Sequence, residues 1–142
     1  MKNPDLSLDE TYVLYGVRRD RRGFGHAVAE KLESKGYSFF LVHPAATQIG
    51  PWAPVASVRE LPVTPDAAIL CTPGEECRAI LEQLLGAQVV RVYAAPGATN
   101  DLGRSYARDH GMNLYEECPL LHLPGLGFPH NLHRKVLSLF GR

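Results

Sequence analysis

The chain has 142 residues, enough for one domain with a real core, and its 15 Lys+Arg balance 15 Asp+Glu to zero formal net charge. That balance excludes a globally basic nucleic-acid binder, and no apolar run reaches the ~18 residues that a membrane-spanning helix needs. Three cysteines (Cys71, Cys77 and Cys118) and a polar N-terminus lacking the apolar stretch of a signal peptide point to a reduced, cytoplasmic protein forming a single domain over residues 1–142.

Short apolar runs alternate with amphipathic stretches. A first strand is predicted over residues 12–16. It ends in Gly16 and runs into Val17-Arg18-Arg19-Asp20-Arg21-Arg22-Gly23-Phe24-Gly25. A helix follows from Phe24, with Phe24, Ala27, Val28 and Leu32 on one face, and stops at Gly36. The second strand covers 38–42 and is ended by His43-Pro44. A turn-rich stretch then leads to Ser57 and Glu60, spaced as a capping box. The third strand covers 67–71.

The next helix has the strongest signals. Thr72 suits the N-cap, Pro73 the first helical position, and Glu75 lies three residues after Thr72. Cys77, Ile80, Leu81, Leu84 and Leu85 then recur at helical spacing up to Gly86. A fourth strand is predicted over 89–93, a helix over about 100–110, and a fifth strand over 112–115. A Pro- and Gly-rich tail leads to a last helix with Leu132, Val136, Leu137 and Phe140 on one side.

Strands alternating with helices imply an α/β fold, a Rossmann-like doubly wound parallel sheet of about five strands with helices on both faces. The expected strand order is 3-2-1-4-5, which puts the ligand crevice at the carboxyl ends of the first and fourth strands. The core is expected over about residues 11–119, with 120–142 as a tail. An apolar face on the last helix suits packing on its own sheet or in a homodimer.

The loop after the first strand points to a ligand class. A buried strand ending in glycine and feeding a helix gathers backbone N–H groups and the positive end of a helix dipole, which suits a phosphate. Arg18, Arg19, Arg21 and Arg22 add charge and guanidinium forks. An ATP P-loop is excluded, because no G-x-x-x-x-G-K-[ST] occurs. The NAD fingerprint is also missing: Gly16 and Gly23 are too far apart, and the second strand ends in His43-Pro44 rather than an acidic residue. An arginine suits the extra phosphate of NADP, so an NADP(H)-binding redox enzyme or sensor stays open as an alternative.

The exit at Gly16, the loop closing on Gly23-Phe24-Gly25, His43-Pro44, and Glu117-Cys118-Pro119 together resemble the stand-alone CoA-binding domain proteins. These are small relatives of the nucleotide-binding domain of the succinyl-CoA synthetase α-subunit. The resemblance covers about residues 11–119. It implies a Rossmann-like domain binding coenzyme A, or an acyl-CoA, at its strand ends, with no family-wide reaction. Carried over, Gly16, Val17, Arg18, Arg22, Gly23, Phe24 and Gly25 face the pyrophosphate. His43 and Pro44 lie against the adenosine end, and Thr72 and Pro73 meet the nucleotide or the start of the pantetheine arm. Val17-Arg18 stand where relatives often carry a small or hydroxyl residue, and His43 stands where Asn is commoner.

No catalytic constellation is evident. Cys71 and Cys77 read as small core residues. Cys118 follows Glu116-Glu117, whose charges suppress a thiolate. The spacing of Cys118, His122, His130 and His133 does not match a standard zinc site. The expectation is therefore a non-catalytic CoA-binding module or sensor with neither nucleic acid nor membrane as partner. An interaction domain that binds no nucleotide is a further possibility.

Overall fold

Burial sorts the strands into edge and centre. In this computed structural model, which describes residues 5–18, 23–45, 47–117 and 119, β1 is Thr11–Tyr15, β2 Ser38–Val42, β3 Ala67–Leu70, β4 Arg91–Ala94 and β5 Asn113–Tyr115. Every residue of β3 and β4 is buried, whereas β2 and β5 start with exposed residues. Strands covered on both faces read as continuous apolar runs and take the middle of a parallel sheet.

All five strands pair in parallel, in the order β2-β1-β3-β4-β5. The α/β Rossmann-like architecture is as expected, but the order corrects the predicted 3-2-1-4-5. The reason lies in side-chain size and polarity. Ala67-Ala68-Ile69-Leu70 is small and wholly apolar and inserts between β1 and β4. Ser38-Phe39-Phe40 keeps partial exposure and stays at the edge. Val55 bridges back onto Val42 and covers the carboxyl half of that edge; the Val55 N–H donates to the Leu41 carbonyl at 3.0 Å. The order in which strands are added therefore reverses between β1 and β3, and the crevice lies there rather than between β1 and β4.

Helix α1 is Phe24–Ser34, α2 Cys77–Gly86 and α3 Asp101–Asp109. Right-handed crossovers leaving β1 in one direction and β3 in the other put α1 on one face and α2 and α3 on the opposite face. Helix α1 buries Phe24, Val28, Ala29 and Leu32. Asn100 caps α3, its Oδ1 accepting the Gly103 N–H at 2.8 Å. A Cβ on Gly103 would stand 2.3 Å from the Cys77 sulfur, so glycine sets the spacing of α2 and α3. Cys77 is fully buried, and burial pushes its thiol up.

Two local signals were overridden. Thr72 does not cap a helix. Pro73 is extended, a 3-10 turn covers Gly74–Glu76, and α2 begins only at Cys77. Val89 does not enter β4; its N–H donates to the Leu84 carbonyl at 2.8 Å and helps end α2. Cys118 and the tail after Pro119, with its expected helix and dimer face, lie outside the described residues.

The amino end of the sheet is tied by a part-buried ion pair. Arg91 is 6% exposed, and its Nη1 donates to Glu10 Oε2 at 3.0 Å while Nη2 engages Oε1. The Tyr12 hydroxyl donates to Glu10 Oε1 at 2.8 Å and accepts the Ser7 N–H at 2.6 Å. Removing Glu10 leaves the buried Arg91 guanidinium without its carboxylate. Glu10→Ala is expected to lower stability by roughly 3 kcal/mol in urea unfolding. Glu10→Leu combined with Arg91→Met is expected to recover most of that loss.

A glycine-built crevice at the exits of three adjacent strands

The exits of β2, β1 and β3 are direct neighbours, because Tyr15 pairs with Val42 on one side and with Leu70 on the other. Gly16 follows Tyr15 with φ +100°, a left-handed conformation that side chains oppose. A Cβ there would lie 2.4 Å from the Cys71 carbonyl carbon and 2.9 Å from the Thr72 nitrogen. The backbone leaving β1 thus rests directly on the backbone leaving β3.

Helix α1 closes on the same point. A Cβ on Gly25 would stand 2.4 Å from the Gly16 oxygen. Gly23 is the N-cap residue in extended conformation and makes no side-chain cap, while its carbonyl accepts the Ala27 N–H at 3.2 Å. No acidic residue stands in the first turn. The first N–H groups of a helix have no partner within it, and the helix dipole is positive there. A Cβ on Gly23 would meet nothing within 4 Å, so a substituent there points into open space.

The expected site residues fall into clear places. Gly16, Gly25, Thr72 and the Cys71 backbone converge. Val17 and Phe24 are buried and anchor the loop from beneath, and Arg18 is exposed at its rim. Arg22 lies outside the described residues, as do Arg19 and Arg21. His43 is half-buried at the β2 exit. Its N–H donates to the Val55 carbonyl at 2.9 Å, and its Nδ1 accepts the Ala45 N–H at 3.1 Å. That bond assigns the proton of the neutral ring to Nε2. Pro44 and Pro73 are exposed. Thr72 is half-buried, yet its Oγ1 is buried without a hydrogen-bond partner among the described residues. Cys71, expected in the core, is also half-buried at the crevice.

Three features escaped the sequence reading. Gly74 lets the turn after β3 sit on the loop after β4, where a Cβ would lie 2.5 Å from the Thr99 oxygen. Only the Gly-Ala-Thr-Asn string after Pro96 hinted at such packing. Tyr15 carries a buried hydroxyl without a partner, which periodicity does not reveal. Beyond β5, Glu116 Oε1 accepts from Thr99 Oγ1 at 2.7 Å and from Arg104 Nε at 2.9 Å. Partial burial pushes the Glu116 carboxyl up, but these bonds outweigh it and hold the group below the ordinary glutamate range.

The site stands within a known sequence family: the family described as CoA binding domain matches residues 10–124. The chain belongs to this family. No curated protein matches the chain. Among solved structures, a conserved hypothetical protein from Pyrococcus furiosus is 22% identical with TM-score 0.69, over 75% of this chain and 92% of that one. A hypothetical protein from Pyrococcus horikoshii OT3 is 16% identical with TM-score 0.71, over 89% and 82%. The apo form of an acetyl-coenzyme A synthetase from Ca. Korarchaeum cryptofilum is 16% identical with TM-score 0.61, over 74% of this chain and 25% of that one. These likenesses show a shared fold, which for the synthetase covers a quarter of its chain.

Two outcomes test this architecture. Gly16→Ala combines a left-handed φ with backbone collision, and is expected to lower stability by at least about 2 kcal/mol in thermal unfolding. Gly23→Ala, with open space for its Cβ, is expected to lower it by less than about 1 kcal/mol. The depressed Glu116 carboxyl contributes stability that is full above its unfolded value of about 4.3 and is lost as pH falls through its native value. Glu116→Gln should therefore flatten the acid side of the stability–pH curve without changing its slope above pH 6.

Proposed function

We propose that this member of the CoA binding domain family binds coenzyme A or an acyl-CoA as a non-catalytic module or sensor. The contact of Gly16 with the β3 exit carries the reading. It builds an anion-suited crevice from backbone where three strand exits and the start of α1 meet.

The residues present suit such a ligand. The glycines at 16 and 25 keep side chains out of the crevice, and the buried, unpartnered Thr72 Oγ1 is a hydroxyl awaiting an acceptor or donor. Gly16, Val17, Arg18, Gly23, Phe24 and Gly25 would hold the pyrophosphate, with the exposed Arg18 as its cationic side chain. His43 and Pro44 would flank the adenosine, and Thr72 and Pro73 the start of the pantetheine arm. Bound CoA supplies a thiol able to carry an acyl group; the chain's own part is to bind and orient it. Among the described residues, no helix is long and apolar enough to cross a membrane.

Calorimetric titration with CoA tests the proposal, with dephospho-CoA and NADPH as competitors. Saturable CoA binding is expected, weakened by loss of the 3′-phosphate. Arg18→Ala and Gly23→Val are each expected to weaken CoA roughly tenfold, the order of one charge-assisted hydrogen bond. Both variants should retain wild-type circular dichroism. NADPH binding without CoA binding would replace the module with a redox protein.

A further inference from the structure

Two residues at the β1 and β3 exits carry buried hydroxyls with no hydrogen-bond partner among the described residues. Tyr15 is the last residue of β1 and 4% exposed, yet its phenol oxygen is buried and makes no hydrogen bond. Thr72 Oγ1 is in the same condition. Tyr15 aligns with Leu70 across the β1–β3 pair, so the two share one face of the sheet. Thr72 lies two residues beyond Leu70, and its nitrogen stands against Gly16, the residue after Tyr15. Both residues with orphan hydroxyls therefore belong to the same pair of strand exits.

Another tyrosine of the same strand shows what a structural role looks like. Tyr12 is fully buried, and its hydroxyl is bonded to Ser7 and Glu10. A phenylalanine at position 15 would fill the same apolar space without a stranded hydroxyl. Leaving a buried polar group unsatisfied costs the folded state stability. Burial also pushes the Tyr15 phenol well above the ordinary tyrosine range, which keeps it a neutral donor. What it lacks is an acceptor, and nucleotide phosphates and riboses are rich in acceptor oxygens.

We infer that Tyr15 is a recognition residue of this crevice, its hydroxyl donating to an oxygen of the bound nucleotide beside the Thr72 hydroxyl. The inference rests on the CoA reading and adds to it a residue that the loop and its glycines do not supply. The ligand satisfies a group that the free protein leaves stranded, so stability and affinity respond to Tyr15→Phe in opposite directions. A purely structural residue has no such signature.

The test is Tyr15→Phe and Thr72→Val, each melted without ligand and titrated with CoA and with ADP. Tyr15→Phe is expected to melt at or above the wild-type temperature while binding CoA and ADP roughly tenfold more weakly, the order of one hydrogen bond. Thr72→Val is expected to lose affinity at least about threefold without losing stability. CoA affinity within twofold of wild type for Tyr15→Phe overturns the inference and leaves the CoA reading standing. A wild-type protein that takes up neither CoA nor ADP overturns both.

Discussion

Backbone meets backbone where β1 and β3 leave the sheet, and the site depends on that contact. Gly16 has no side chain, so the chain can turn left-handed and lie on the Cys71 and Thr72 peptides. Gly25 repeats the arrangement one layer up, bringing the start of α1 onto the Gly16 carbonyl. Two missing methyl groups thus fix strand exit, loop and helix start relative to one another. Val17 and Phe24 hold the assembly down by burial. The crevice is rigid because it is made of packed main chain, and side chains have only to decorate it.

The two ends of the sheet are built by opposite means. At the carboxyl end, small residues let backbones approach, and Thr72 Oγ1 has no hydrogen-bond partner among the described residues. At the amino end, long side chains fill the space, and the carboxylate of Glu10 is shared between Arg91 and Tyr12. Arg91 also stands 5.6 Å from the centre of the Tyr93 ring. The Arg91 Nε is also buried without a hydrogen-bond partner among the described residues, so the two ends differ in how space is filled, by main chain at one and by long side chains at the other.

The elements were legible because their signals are local and agree with their surroundings. Helix α1 follows from Phe24, Val28 and Leu32 at helical spacing, and the helix expected over about 100–110 is α3, Asp101–Asp109. Strand order was not legible, because it depends on which apolar run is small enough for the middle of the sheet, and Ala67-Ala68 decides that only by comparison with its neighbours. The capping pattern at Thr72 misled because Gly74 packs on the Thr99 carbonyl and a 3-10 turn precedes α2. Gly16, His43 and Thr72 were found from motif positions, and the corrected order makes them neighbours. With β3 beyond β2, Thr72 would stand two strands away from Gly16. Tyr15 left no trace in the pattern, since a tyrosine ending a buried strand looks the same whether or not its hydroxyl is served.

The ion pair between Glu10 and Arg91 joins residues 81 positions apart. Such a contact closes a long loop and is made only when β1, β3 and β4 are already aligned. Interactions formed after the rate-limiting step hold the folded chain back from opening more than they hasten its assembly. The pair therefore acts as a latch on the finished sheet, lengthening the lifetime of the native state while leaving the speed of folding to the nearer contacts of β1 with β2.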